Sequence, residues 1–154
     1  MRKTTRADLM ARASSLSFLG FFIAFGSIFF GFLPAGSKES IFGNLPFTLF
    51  ELTFESPLAL TALLAFVLLV LGVVMNFLAA CLATMGKKQL LKAGVSSGIT
   101  CICYLAAAIL YPTVFPEADL DTYGIALILM PAALIVSCLL QCGILLSIKR
   151  KART

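Results

Sequence analysis

Leu58 to Met85 reads LALTALLAFVLLVLGVVMNFLAACLATM, 28 residues without one charged side chain. A helix rises about 1.5 Å per residue, so about 20 apolar residues cross the roughly 30 Å of hydrocarbon in a bilayer. This run is long enough to span and to tilt. Three further stretches carry no charge: Leu16–Leu33, Ala93–Phe115 and Tyr123–Ile148, of 18, 23 and 26 residues. No segment alternates with period 2 for long, which argues against a barrel.

The composition agrees. Of 154 residues, 60% are hydrophobic and 12% charged, and the mean hydropathy is +1.04. Soluble domains are about half apolar and a quarter charged. The expected fold is an all-α integral membrane four-helix bundle in one domain. Its spans are 16–33, 58–85, 93–115 and 123–148. Outer loops take 34–57 and 116–122, an inner turn 86–92, and tails 1–15 and 149–154.

The charges orient the chain. Arg2, Lys3, Arg6 and Arg12 precede span one, Lys87, Lys88 and Lys92 follow span two, and Lys149, Arg150, Lys151 and Arg153 follow span four. Of the 12 basic residues, only Lys38 falls on the other side. The positive-inside rule places both termini and the 86–92 turn in the cytoplasm. Glu39, Glu51, Glu55, Glu117, Asp119 and Asp121 fall outside, and Asp8 inside. The expected location is a cell membrane, plasma or inner, crossed several times. Basic tails next to a bilayer meet anionic lipid, so no nucleic-acid partner is expected. The apolar run of span one exceeds the usual core of about 7–15 residues in a signal peptide, and no small-x-small site follows it. It is read as a span.

The first outer loop opens on a turn, Pro34-Ala35-Gly36-Ser37, and continues as an apolar segment, Leu45 to Glu55, too short to span. Phe47, Phe50 and Phe54 recur at helical spacing and predict an interfacial helix. The alternation of Phe50, Leu52 and Phe54 with Glu51, Thr53 and Glu55 leaves a strand as the alternative. The three phenylalanines are either a lid on the bundle or a docking surface for another membrane protein. Glu117, Asp119 and Asp121 lack the glycine and the remaining ligands of a Ca²⁺ loop, so a solvated cap is expected.

Small residues line the spans. Ser17, Gly20, Ala24, Ser27 and Gly31 step by 3 and 4 along span one. Ala62, Ala65, Leu69, Gly72, Asn76, Ala79 and Ala83 do so in span two, and Ala93, Ser96, Thr100, Cys103 and Ala107 in span three. Such stripes let helices approach closely, and their 3.5-residue period predicts left-handed crossings. They serve packing within the chain, or a seam for a partner's helix or a second copy. The phenylalanine-rich remainder of span one faces lipid or such a partner.

Asn76, Thr100 and Gln141 lie 7 to 9 residues from the cytoplasmic ends of their spans, roughly 10–14 Å deep. They predict one polar layer, with Ser96, Ser97 and Tyr104 nearby. Its role is interhelical hydrogen bonding or a small polar site open to the cytoplasm. Pro131 removes one backbone donor from span four.

Other chemistry is sparse. The five cysteines, Cys81, Cys101, Cys103, Cys138 and Cys142, all lie in spans. Cys101-x-Cys103 and Cys138-x-x-x-Cys142, with Met75 or Met85 assisting, offer the soft ligands that a cation such as Cu(I) prefers. Without histidine or a standard spacing, no metal and no cofactor are expected. No span holds Asp, Glu, Lys, Arg or His, the residues of ion coupling and proton relays. No nucleophile has a general base beside it, so no catalytic residue is expected.

The layout resembles the claudin and MARVEL tetraspans: inner termini, a longer first outer loop, a short inner turn and a short second outer loop. The resemblance is one of topology. The chain has no Trp, and 34–57 holds no Cys, where a claudin's first loop carries both. The embedded Glu of small multidrug transporters is also missing. Taken together, these features predict a non-catalytic scaffold or accessory subunit. A small-solute, lipid or ion conduit lined by the polar layer is the alternative.

Overall fold

The computed structural model describes residues 6–40, 43–54, 60–85 and 89–152. Helix α1 runs Arg6–Ser27 and tightens into a 3-10 segment, Ile28–Phe32. Strands β1 (Pro34–Ser40) and β2 (Gly43–Thr48) follow, then a short helix α2 (Leu49–Phe54). Helices α3 (Leu60–Thr84) and α4 (Leu90–Glu117) come next, then strand β3 (Thr122–Tyr123) and helix α5 (Ala126–Ala152). Four helical stretches are long and apolar enough to cross a membrane: Ser14–Phe32, Leu60–Thr84, Leu91–Pro116 and Ala126–Gly143. They overlap the four expected spans. Most of the 86–92 turn lies outside the described residues or inside α4. α5 stays helical through Pro131.

The long helices form a ring in which α1 packs on α3 and α5, and α4 closes the other side against α3 and α5. The small-residue stripes explain this order. Ser17, Gly20, Ala24, Ser27 and Gly31 are all buried. So are Ala62, Ala65, Leu69, Gly72, Asn76, Ala79 and Ala83 of α3, and Ala93, Ser96, Thr100, Cys103 and Ala107 of α4. At Gly72 the backbone of α3 lies so close to α4 that a Cβ would stand 2.6 Å from the Tyr104 ring. At Gly20 a Cβ would stand 3.2 Å from the Ser137 carbonyl oxygen of α5. The larger residues between the stripes, among them Phe22, Phe25, Phe29, Leu64, Val67, Val74 and Ile102, point outward. An outer surface of this kind matches lipid.

The all-α expectation holds for the spans and fails at one end of the bundle. There β1 pairs antiparallel with β2 and with β3, giving the order β2-β1-β3. Of the helix expected over Leu45–Glu55, Leu49–Phe54 is helical and Leu45–Thr48 instead pairs with β1, while Glu55 lies outside the described residues. Segments from 34–57 and 116–123 thus join one sheet. Gly36 and Gly124 permit the joint: a Cβ on Gly124 would fall on the backbone of Pro34 and Ala35, and one on Gly36 on the Thr122 carbonyl. The Gly124 N–H donates to the Ala35 carbonyl at 2.7 Å.

The acidic second loop is more than a solvated cap. The Lys38 ammonium pairs with Asp119 at 3.0 Å, and the Glu39 N–H donates to the Asp121 carboxylate at 2.5 Å. Asp119 has a φ of 50°, the left-handed turn that ends α4 and that Asp tolerates.

Candidate functional site

Each long helix contributes one polar side chain to a single buried cluster. Ser17 comes from α1, Asn76 from α3, Tyr104 from α4 and Gln141 from α5, and each is 0% exposed. The Ser17 hydroxyl donates to Gln141 Oε1 at 2.6 Å. Its neighbours orient the Asn76 amide. Nδ2 donates to Gln141 Oε1 and to Ser17 Oγ, both at 3.0 Å, and Oδ1 accepts from the Tyr104 hydroxyl at 3.2 Å. The same amide bonds the α1 backbone, with Nδ2 donating to the Ser17 carbonyl at 3.2 Å and Oδ1 accepting from the Phe21 N–H at 3.1 Å. Gly20 leaves room for it, since a Cβ there would lie 3.7 Å from the amide atom that faces Tyr104, Oδ1 in this orientation.

Asn76 and Gln141 therefore meet as their depths predict. Thr100 does not join them. It is buried, but its hydroxyl donates to the Ser96 carbonyl of its own helix at 2.9 Å. Ser96 and Ser97 bond neighbouring backbones, Ser96 to the Met75 carbonyl at 2.7 Å and Ser97 to the Gln141 carbonyl at 3.3 Å. Ser17 enters the cluster from the small-residue stripe of α1. The signal for it was its register, one turn before Gly20.

Amides and hydroxyls hydrogen-bond without charge. The arrangement can hold helices together or bind a small neutral polar group, and it contains no carboxylate or imidazole. One donor is left over: Gln141 Nε2 is buried without a partner. A second such group, the Tyr104-like phenol of Tyr111, also has no partner for its hydroxyl.

The three loop phenylalanines separate. Phe50 turns into the bundle: its ring stands 4.6 Å from Phe32 and 6.1 Å from Phe66 by centroid, and it covers Gly31, where a Cβ would lie 2.8 Å from it. Phe47 is half-buried in β2. Phe54 stacks on Phe50 yet stays 58% exposed. The lid and the outward surface are thus different residues of one segment.

Among the cysteines, Cys101 of α4 lies with Cys138 and Cys142 of α5, all three sulfurs within 4.8 Å of one another. Cys103 belongs elsewhere, facing α3 at Gly72. Comparison with family models, with curated proteins and with solved structures finds no match for this chain.

Proposed function

We propose that this protein is a non-catalytic four-span membrane protein that organises or stabilises a membrane complex as a scaffold or accessory subunit. Its termini lie in the cytoplasm and its sheet end outside, in a plasma or inner membrane. The observation that carries this reading is the division between a buried polar cluster that bonds helix to helix and an exterior rich in exposed aromatics. The buried cluster of Ser17, Asn76, Tyr104 and Gln141 is uncharged and takes a residue from every long helix. Phe22, Phe25, Phe29, Phe32 and Phe54 face away from the bundle. Lipid covers those at membrane depth. Phe54, exposed on a short helix beside the sheet, is the side chain this reading assigns to another protein's membrane or outer segment. Aromatic side chains are frequent anchors in such contacts. The test is extraction into lipid nanodiscs followed by native mass measurement. A particle heavier than one 16.5 kDa chain plus lipid supports the reading, and a single chain throughout defeats it.

The unpartnered Gln141 Nε2 favours a second reading, a conduit for a small polar solute or ion past the cluster. Flux into liposomes by wild type and by Asn76→Leu separates the two. A flux that Asn76→Leu changes supports the conduit; no flux, or equal flux, removes it.

A further inference from the structure

We infer that Cys101, Cys138 and Cys142 form a binding site for one trivalent, thiol-seeking metalloid of the arsenite class. This is independent of the scaffold reading. The three residues come from two antiparallel helices held in register by small contacts. Ser97 Oγ bonds the Gln141 carbonyl at 3.3 Å, and one turn along, Cys101 Sγ approaches the Cys138 carbonyl at 3.9 Å while Cys138 Sγ approaches the Cys101 carbonyl at 4.0 Å. Cys138 and Cys142 are four residues apart and so share a face of α5. The three sulfurs lie within 4.8 Å of one another. Sulfurs bonded to one atom at about 2.3 Å stand at most about 4 Å apart, so side-chain rotation suffices to close the site.

Charge selects the ligand. Three thiolates leave two negative charges around a monovalent ion, one around a divalent ion and none around a trivalent centre. The spans contain no Lys, Arg or His to offset a residual charge. A net charge at that depth is costly, so the neutral complex is favoured. The binding step balances without redox change. Arsenous acid, As(OH)₃, exchanges its three As–O bonds for three As–S bonds, and each hydroxide leaves as water with one thiol proton. Cys101 and Cys142 are half-buried, so two of the three sulfurs belong to residues that are not fully enclosed.

The experiment uses the full chain in detergent or nanodiscs under a non-thiol reductant, titrated with arsenite and read by native mass spectrometry. The expected product is one adduct, with the mass of arsenic less three hydrogens. Cys101→Ser, Cys138→Ser and Cys142→Ser each raise the half-saturating arsenite by more than about tenfold. Cys81→Ser and Cys103→Ser leave it unchanged. Elution as the same monodisperse species controls for folding, and the wild-type adduct stands whatever a variant does. No adduct, an adduct with fewer hydrogens lost, or equal sensitivity to Cys81→Ser overturns the site. Displacement of arsenic by equimolar Ag(I) overturns the choice of a trivalent ligand.

Discussion

The Ser17 hydroxyl and the Gln141 side-chain oxygen lie 2.6 Å apart and tie the first long helix to the last, 124 residues away in sequence. Asn76 bonds both, and Tyr104 completes the cluster from α4. Inside a membrane the hydrophobic effect does not draw helices together, and interhelical hydrogen bonds average about 0.6 kcal/mol, reaching about 2 kcal/mol. Asn76 makes several at once. Asn76→Leu and Gln141→Leu should each lower the thermal midpoint in detergent by an amount equivalent to about 1–3 kcal/mol. The double variant should lose less than the sum, because each single change already strands the other's partner. Additive losses would mean that the two amides act separately.

Close approach of α3 to α4 depends on Gly72. Its missing Cβ leaves room for the Tyr104 ring, which would otherwise stand at 2.6 Å. Gly72→Val should cost about 1–3 kcal/mol through overpacking and disturb the Asn76–Tyr104 bond. Gly98 meets nothing within 4 Å, so Gly98→Ala should be neutral or gain up to about 1 kcal/mol from helix propensity. Thermal unfolding of the two variants side by side checks the pair.

At the sheet end, backbone geometry outweighs charge. The Lys38–Asp119 pair is exposed on both sides, so Lys38→Ala should shift stability by less than about 1 kcal/mol. Gly124→Val places a side chain on the backbone of Pro34 and Ala35 and should undock β3 from β1. Limited proteolysis from outside should cut Gly124→Val in 116–122 and leave Lys38→Ala as resistant as wild type.

The termini and the sheet should lie on opposite sides of the bilayer. Glu39→Cys should react with a membrane-impermeant maleimide in intact cells, and Lys92→Cys only after permeabilisation. Both positions are exposed at the ends of the bundle. The reverse pattern would invert the topology.

The spans were legible because a charge-free run of 18 residues or more has few other uses in a protein. The inner faces were legible from the 3-4 spacing of small residues, and the meeting of Asn76 with Gln141 from counted depth. Thr100 escaped that count because a threonine hydroxyl satisfies itself on the carbonyl four residues back. Ser17 looked like one more small residue, since its donor role depends on helices that no local pattern relates. The sheet was hidden for the same reason. Gly36 pairs with Tyr123 and Ser37 with Thr122, contacts between loops far apart in the chain, and the turn residues of Pro34–Ser37 give no alternation. Cys138 and Cys142 share a helix face by spacing, but their neighbour Cys101 is set by the α4–α5 register.

The most direct test of the scaffold reading is site-specific photo-crosslinking in the native membrane, with a photoreactive phenylalanine analogue at position 54 or 50. Phe54 is exposed, whereas Phe50 packs on Phe32 and Phe66. The account predicts a covalent product larger than one chain from position 54, and only intrachain product from position 50. Intrachain product alone from both positions would contradict it.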